Sequence, residues 1–201
     1  MLHSFKKITD RIFNEPHLYH GLRTAFLGGL PTLHILRLLE PVASDVILDI
    51  GCGTGFLAEK IPFRHYLGFD SDPRVIEIAQ RKKIPNATFS VGQVQDFDFS
   101  KIYPTKAVLY GILHHLSDED AVSLLRALGK TGVKWLVTLD PVYSKFHLLN
   151  NLLCKLDRGG NVRDAQGMQR LIEQSGLRIE TMQIHNSNTA ITKYINFRLT
   201  P

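Results

Sequence analysis

The segment Val46-Ile47-Leu48-Asp49-Ile50-Gly51-Cys52-Gly53-Thr54-Gly55 constrains the fold more than any other part of the chain. A short apolar run of this kind is the mark of a strand buried on both faces. Glycines follow at alternate positions, where they permit positive φ and let a ligand approach the backbone closely. Phe56, Leu57, Ala58 and Ile61 then read as the inner face of a helix. A strand, a glycine turn and a helix in that order place the turn at the carboxyl end of a parallel sheet. Open α/β sheets hold their ligands there.

The rest of the chain repeats the alternation. Tyr66 to Asp70 reads as a second strand, followed by Asp72 as N-cap, Pro73 at the first helical position, and Val75, Ile76 and Ala79 facing inward. Ala87 to Val91, Ala107 to Ile112 and Trp135 to Leu139 read as further strands. Ser117 to Asp120 has capping-box spacing ahead of Val122, Leu124, Leu125 and Leu128. Leu149, Leu152, Leu153 and Leu156 form one helical stripe, which suits core or the wall of a pocket. Another helix runs from Asp164 to Ser175 and stops at Gly176. Leu177 to Ile184 and Ala190 to Leu199 close the chain as two strands whose short connection requires them to be antiparallel. The expected fold is therefore α/β, a Rossmann-like, mostly parallel seven-stranded sheet with an antiparallel closing strand. Residues 1–42 form an N-terminal helical cap, from Phe5, Ile8, Ile12 and Phe13 through the Gly28-Gly29 break to a helix opened by Pro31. Residues 43–201 form the main domain, with a helical insertion near 144–175.

Two features narrow the ligand. Asp70 ends the second strand, at the distance from the glycine turn where an acid accepts hydrogen bonds from ribose hydroxyls. Phe56 stands where the dinucleotide pattern Gly-x-Gly-x-x-Gly needs its last glycine, and no Lys-Ser/Thr pair ends the loop as in a phosphate-binding P-loop.

The blocks LDIGCGTG at 48–55, YLGFDSDPRVIEIAQ at 66–80 and AVLYGILHHLSDEDAVSLLRALGK at 107–130 resemble the class I S-adenosylmethionine-dependent methyltransferases, over about residues 42 to 200. The resemblance implies a transferase with S-adenosyl-L-methionine as cofactor. Asp49 would then lie near the methionine ammonium. Gly51, Cys52, Gly53 and Gly55 would pack against methionine and sugar, and Asp70 with Ser71 would hold the ribose. After the third strand the family often has an Asp following a Gly to contact adenine. Here Gln93 follows Gly92, so Gln93, Val94 and Asp96 are the adenine candidates, with Tyr110 at the fourth strand's end.

The chemistry is less constrained. His114 and His115 follow the fourth strand and could take a proton from a hydroxyl acceptor, or simply cap the loop and pack on the cofactor. Asp140-Pro141-Val142-Tyr143 resembles the Asp-Pro-Pro-Tyr motif of amino-methylating enzymes. It follows the wrong strand and carries Val third, so it reads as a strand end and a turn. The loop Lys155-Leu156-Asp157-Arg158-Gly159-Gly160-Asn161-Val162-Arg163 resembles the substrate-side insertion of small bacterial relatives. Arg158 and Arg163 there suit an anionic acceptor, or else a salt bridge with Asp157.

Cys52 and Cys154 make neither a disulfide framework nor a metal cluster, so no metal is expected and a reducing cytoplasm fits. No stretch is long and unbroken enough to span a bilayer. The net charge of +5 permits an acidic partner, but the basic residues are scattered. A small-molecule acceptor, hydroxylated or lipid-like, is the leading expectation. RNA methylation is the alternative, as is a non-catalytic S-adenosylmethionine-binding interaction protein. The oligomeric state stays open.

Overall fold

A computed structural model describes residues 32–93, 102–157, 159–187 and 189–201. Residues 1–31 of the expected cap, together with Val94, Asp96 and Arg158, lie outside the described residues. The elements are α1 (Thr32–Leu39), β1 (Val46–Ile50), β2 (His65–Asp70), α2 (Pro73–Arg81), β3 (Ala87–Val91), β4 (Lys106–Tyr110), a 3-10 turn (Leu113–His115), α3 (Asp118–Gly129), β5 (Trp135–Tyr143), α4 (Leu148–Leu156), β6 (Arg163–Asp164), α5 (Ala165–Ser175), β7 (Arg178–Asn186) and β8 (Lys193–Thr200). The sheet runs β3-β2-β1-β4-β5-β8-β7, and β6 adds a two-residue pairing to the end of β5. β1 through β5 pair in parallel; β8 is antiparallel to both β5 and β7. The strand order reverses at β1, so the glycine loop lies at the switch point, where loops diverge and leave a crevice.

Each face of the sheet has its own core. On one, Leu48, Ile50 and Leu109 pack with Leu124 and Leu128 of α3 and Met168 and Ile172 of α5. On the other, Ile47, Tyr66 and Val137 pack with Ile35 and Leu39 of α1 and Ile76 and Ala79 of α2. Alternate residues of β1 thus feed opposite cores, which is why its pattern reads as a continuous apolar run. Helix α1 packs against β5 and β8, and the Trp135 indole donates to the Leu39 carbonyl at 3.1 Å.

The local stop and start signals act as read. Asp72 accepts from the Arg74 amide, Ser117 from the Asp120 amide and Asp164 from the Gly167 amide. Gly176 closes α5 in the left-handed region at φ 85°. Each cap satisfies a helix-end group that would otherwise be unpaired, worth about 1 kcal/mol.

Three local expectations need correction. Residues 51–60 form successive turns instead of a regular helix, with bonds such as Gly55 N–H to Cys52 C=O and Lys60 N–H to Leu57 C=O. Leu57, Ala58 and Ile61 still bury their side chains, so the apolar pattern records packing and not helix geometry. Asp140-Pro141-Val142-Tyr143 is not a turn but the last part of β5. β4 has ended opposite Leu139, so the missing N–H of Pro141 costs that ladder nothing, while β8 and β6 continue to pair with the extension. Within the leucine stripe of α4, Leu149 and Leu152 are not core, standing 55% and 53% exposed.

Candidate functional site

The glycine loop is tied to β2. The amides of Gly51 and Cys52 both donate to the Phe69 carbonyl, at 2.7 and 3.0 Å. The Gly53 amide donates to Asp70 Oδ2 at 2.9 Å, and Asp70 Oδ1 accepts the Asp72 amide at 3.0 Å. Asp70 therefore orders both its own turn and the glycine loop, and each of its oxygens keeps a second lone pair. Gly53 has φ +53° with open space where a Cβ would stand, so its backbone is exposed to whatever enters the crevice.

Asp49 is the most heavily perturbed carboxylate of the site. It is 2% exposed at the penultimate position of β1. Parallel register sets Ile47 beside Tyr66 and Asp49 beside Gly68. Paired residues of neighbouring strands share a face, so the Tyr66 side chain emerges beside that of Asp49, and Gly68 has none to intervene. The Tyr66 hydroxyl donates to Asp49 Oδ2, while Oδ1 is buried with no hydrogen-bond partner among the described residues. Burial and the nearby Asp70 charge push the Asp49 carboxyl up to about 7, against the lowering effect of the Tyr66 hydrogen bond. A buried acceptor left open in this way costs stability unless a donor or cation satisfies it.

The second cluster lies past the end of β4, beside the last part of β5, at the same edge of the sheet. His114 is buried, and its Nδ1 meets Asp140 Oδ1 at 2.7 Å; the same oxygen accepts the His114 amide at 3.1 Å. Nε2 meets Asp157 Oδ1 at 3.2 Å. Burial alone would lower the His114 pKa, but the hydrogen bonds its ring donates to Asp140 and Asp157 outweigh it and raise it to about 9. Each ring nitrogen thus faces a carboxylate. The loop after α4 closes over it: the Asn161 amide donates to the His114 carbonyl at 3.0 Å, and a Cβ on Gly159 would stand 2.5 Å from that oxygen. Only glycine permits that approach. His115, by contrast, is exposed, its ring centroid 4.1 Å from that of His114.

Residues 47–131 match a family model described as a methyltransferase domain. The matched stretch is under half of the chain and runs from β1 through α3, so it holds the glycine loop, Asp70 and both histidines. Over 100 residues it is 30% identical to the trans-aconitate 2-methyltransferase of Deinococcus radiodurans, a match covering 47% of this chain and 38% of that protein. The aligned stretch is thus well under half of the relative's length. Among solved structures, magnesium protoporphyrin IX methyltransferase from Synechocystis PCC 6803, with bound SAH, has a TM-score of 0.66 at 14% identity, over 96% of this chain and 98% of that one. A SAM-dependent methyltransferase from Methanosarcina mazei has a TM-score of 0.63 at 16% identity, over 85% and 97%. At these identities the likeness is one of fold.

Within the matched stretch, the structure brings Asp49, Gly51, Cys52, Gly53, Gly55 and Asp70 together around the loop after β1. Ser71 and Gln93 are exposed beyond the ends of β2 and β3, and Tyr110 ends β4, half-buried. Cys52 is buried, and burial together with the Asp49 and Asp70 charges pushes its thiol far above the ordinary range, so it is no nucleophile. Both His114 nitrogens face carboxylates, which favours the loop-capping alternative over the role of proton acceptor. Sequence reasoning passed over Tyr66, read only as a strand residue, and did not connect Asp140 and Asp157 to the histidines. No spacing rule links positions so far apart.

Arg163 also differs from its expected substrate role. Its guanidinium donates to the carbonyls of Leu113 at 2.8 Å, Leu116 at 2.8 Å and Asn161 at 3.0 Å, and to Asp118 at 2.7 Å. The side chain is 9% exposed, with its donors spent on fixing the 3-10 turn that carries His114. Arg163→Ala would take a donor from the carbonyls of Leu113 and Leu116, of which Leu113 keeps the Leu116 amide, and should cost about 1–3 kcal/mol. Chemical denaturation should show the loss; an unchanged midpoint with a raised acceptor KM would restore the substrate role.

Proposed function

We propose that this chain transfers a methyl group from S-adenosylmethionine to a small-molecule acceptor. The observation that carries the reading is Asp49 Oδ1, a buried acceptor without a partner among the described residues, at the carboxyl end of β1. A cationic donor fits it, and the cofactor's amino-acid ammonium is one. Asp70 supplies acceptor lone pairs at the end of the next strand, as a ribose diol requires. Gly51, Gly53 and Gly55, at φ 76°, 53° and 72°, leave three positions of the intervening loop without side chains. When bound, the cofactor supplies an electrophilic methyl group on a sulfonium.

The chain's own residues then orient and exclude. Tyr66 fixes Asp49 so that Oδ1 is left for the ligand. Asp70 holds the loop closed through Gly53. His114, Asp140 and Asp157 lock the loop after α4 against the sheet edge. Positioning the acceptor supplies much of the remaining rate. A relative named for trans-aconitate and a fold neighbour named for magnesium protoporphyrin IX are in keeping with a small acceptor. Among the described residues no helix is long and apolar enough to cross a membrane.

Calorimetry tests the cofactor directly. S-adenosylmethionine or its demethylated product should bind at least about a hundredfold more tightly than NAD or ATP, a difference of about 2.7 kcal/mol. Preferential binding of NAD overturns the reading. Tritiated-methyl labelling of metabolite, lipid and RNA pools then separates the acceptors, and label confined to RNA would replace the small molecule.

A further inference from the structure

The cluster around His114 has another use. Beside Asp157 Oδ1, 3.2 Å from His114 Nε2, stands His115, and one donor atom from each of the three residues lies within 4.8 Å of the others. Two imidazoles and one carboxylate are a donor set suited to a transition-metal ion with a position left open. The spacing suits it too. With metal–nitrogen and metal–oxygen bonds of about 2.0–2.2 Å, two donors of one shell stand about 3.0–3.5 Å apart. His114 Nε2 and Asp157 Oδ1 are already at that separation. His115 is exposed, with a ring nitrogen within 4.8 Å of a donor atom on each of the other two residues.

A second, independent observation points the same way. His114 Nδ1 is bonded to Asp140, which is fully buried and also holds the His114 amide. Metal-binding histidines characteristically donate their other ring N–H to a carboxylate, which fixes the tautomer and aims the free nitrogen at the ion. Asp140 does this from β5, a rigid central strand, so the His114 ring is oriented in advance. We propose that His114, His115 and Asp157 form a binding site for a divalent transition-metal ion, with Asp140 as the orienting carboxylate. Zinc fits the mixed nitrogen and oxygen donors best. The ion takes the place of the proton shared by His114 Nε2 and Asp157, because both need the same lone pair.

The proposal stands on side-chain geometry and not on the methyl-transfer reading. A chain that binds zinc but no S-adenosylmethionine would sink the proposed function and leave the metal site standing; the reverse result would do the opposite. The experiment is titration of the metal-stripped full chain with Zn2+ by calorimetry near neutral pH, with Co2+ as a spectroscopic substitute. The chain should take up one ion through this cluster, and Co2+ should give the intense visible absorption of a four-coordinate site. His115→Ala, at an exposed position, should weaken Zn2+ binding at least about tenfold and remove the Co2+ band, with the apo melting temperature unchanged. His65→Ala, a control at another exposed histidine, should change neither. No binding at about 100 μM Zn2+, or equal binding by His115→Ala and the unaltered chain, overturns the site.

Discussion

Asp49→Asn is expected to weaken S-adenosylmethionine binding by a few hundredfold to a few thousandfold and to abolish the pH dependence of that binding. Asp49 is buried and its Oδ1 has no partner among the described residues, so the bound ammonium would be its counter-charge. Breaking a buried charge pair by neutralising one member costs about 3–5 kcal/mol. At 1.4 kcal/mol per decade that range gives the stated loss. The pH effect follows from the carboxyl's raised pKa of about 7, set by burial and the Asp70 charge against the Tyr66 hydrogen bond. Below that pH the native protein carries a neutral Asp49, which cannot pair with an ammonium, so affinity should rise as pH climbs from about 6 to 8. Stability of the unliganded protein moves the other way. Between the ordinary value of 3.8 and about 7 the native state holds a proton that the unfolded state has lost. Stability therefore falls as pH rises through that window and levels off above it. The Asn variant lacks both slopes. Dissociation constants near pH 6 and pH 8, with denaturation midpoints of both unliganded proteins across the same range, decide the matter. Parallel slopes in the two proteins would remove Asp49 from the ligand site.

Asp70→Ala should weaken the cofactor by about tenfold to a few hundredfold, from the loss of one or two hydrogen bonds to a charged acceptor at about 1.5–3 kcal/mol each. Sequence alone suggests a surface carboxylate with little bearing on stability. The structure revises this. Asp70 accepts the amides of Gly53 and Asp72, so its removal leaves two loop N–H groups without their acceptor and frees the glycine turn. A cost of about 1–2 kcal/mol in the unliganded protein follows, the loop being partly hydrated. Asp70→Asn keeps a carbonyl oxygen for one of these amides and should fall between the two. Calorimetry of all three proteins beside their thermal unfolding gives the result. Unchanged affinity in Asp70→Ala would mean that the adenosine does not lie at the end of β2.

The sequence by itself determined the elements whose signals are local. Val46 to Ile50 reads as a doubly buried strand because every one of its side chains must meet a core on one face or the other, and the structure gives it a core on each. Asp72, Ser117, Asp164 and Gly176 were legible as helix ends because a cap acts within one turn of its own position. The glycine loop and Asp70 were legible because strand order fixes where consecutive β–α turns emerge, and the loop's bond to Asp70 joins neighbouring strands. Only the tertiary structure decided the rest, since it depends on register and on loops closing across the sheet. Tyr66 meets Asp49 through parallel register and a side-chain-free Gly68, which periodicity does not encode. His114 meets Asp157 because the loop after α4 folds back over Gly159, and Arg163 becomes a clamp because β6 seats it beside the carbonyls of Leu113 and Leu116. The leucines of α4 show the same limit from the other side. Their spacing is that of a core helix, yet Leu149 and Leu152 remain exposed, because a helical stripe records which side chains share a face and not what that face will meet.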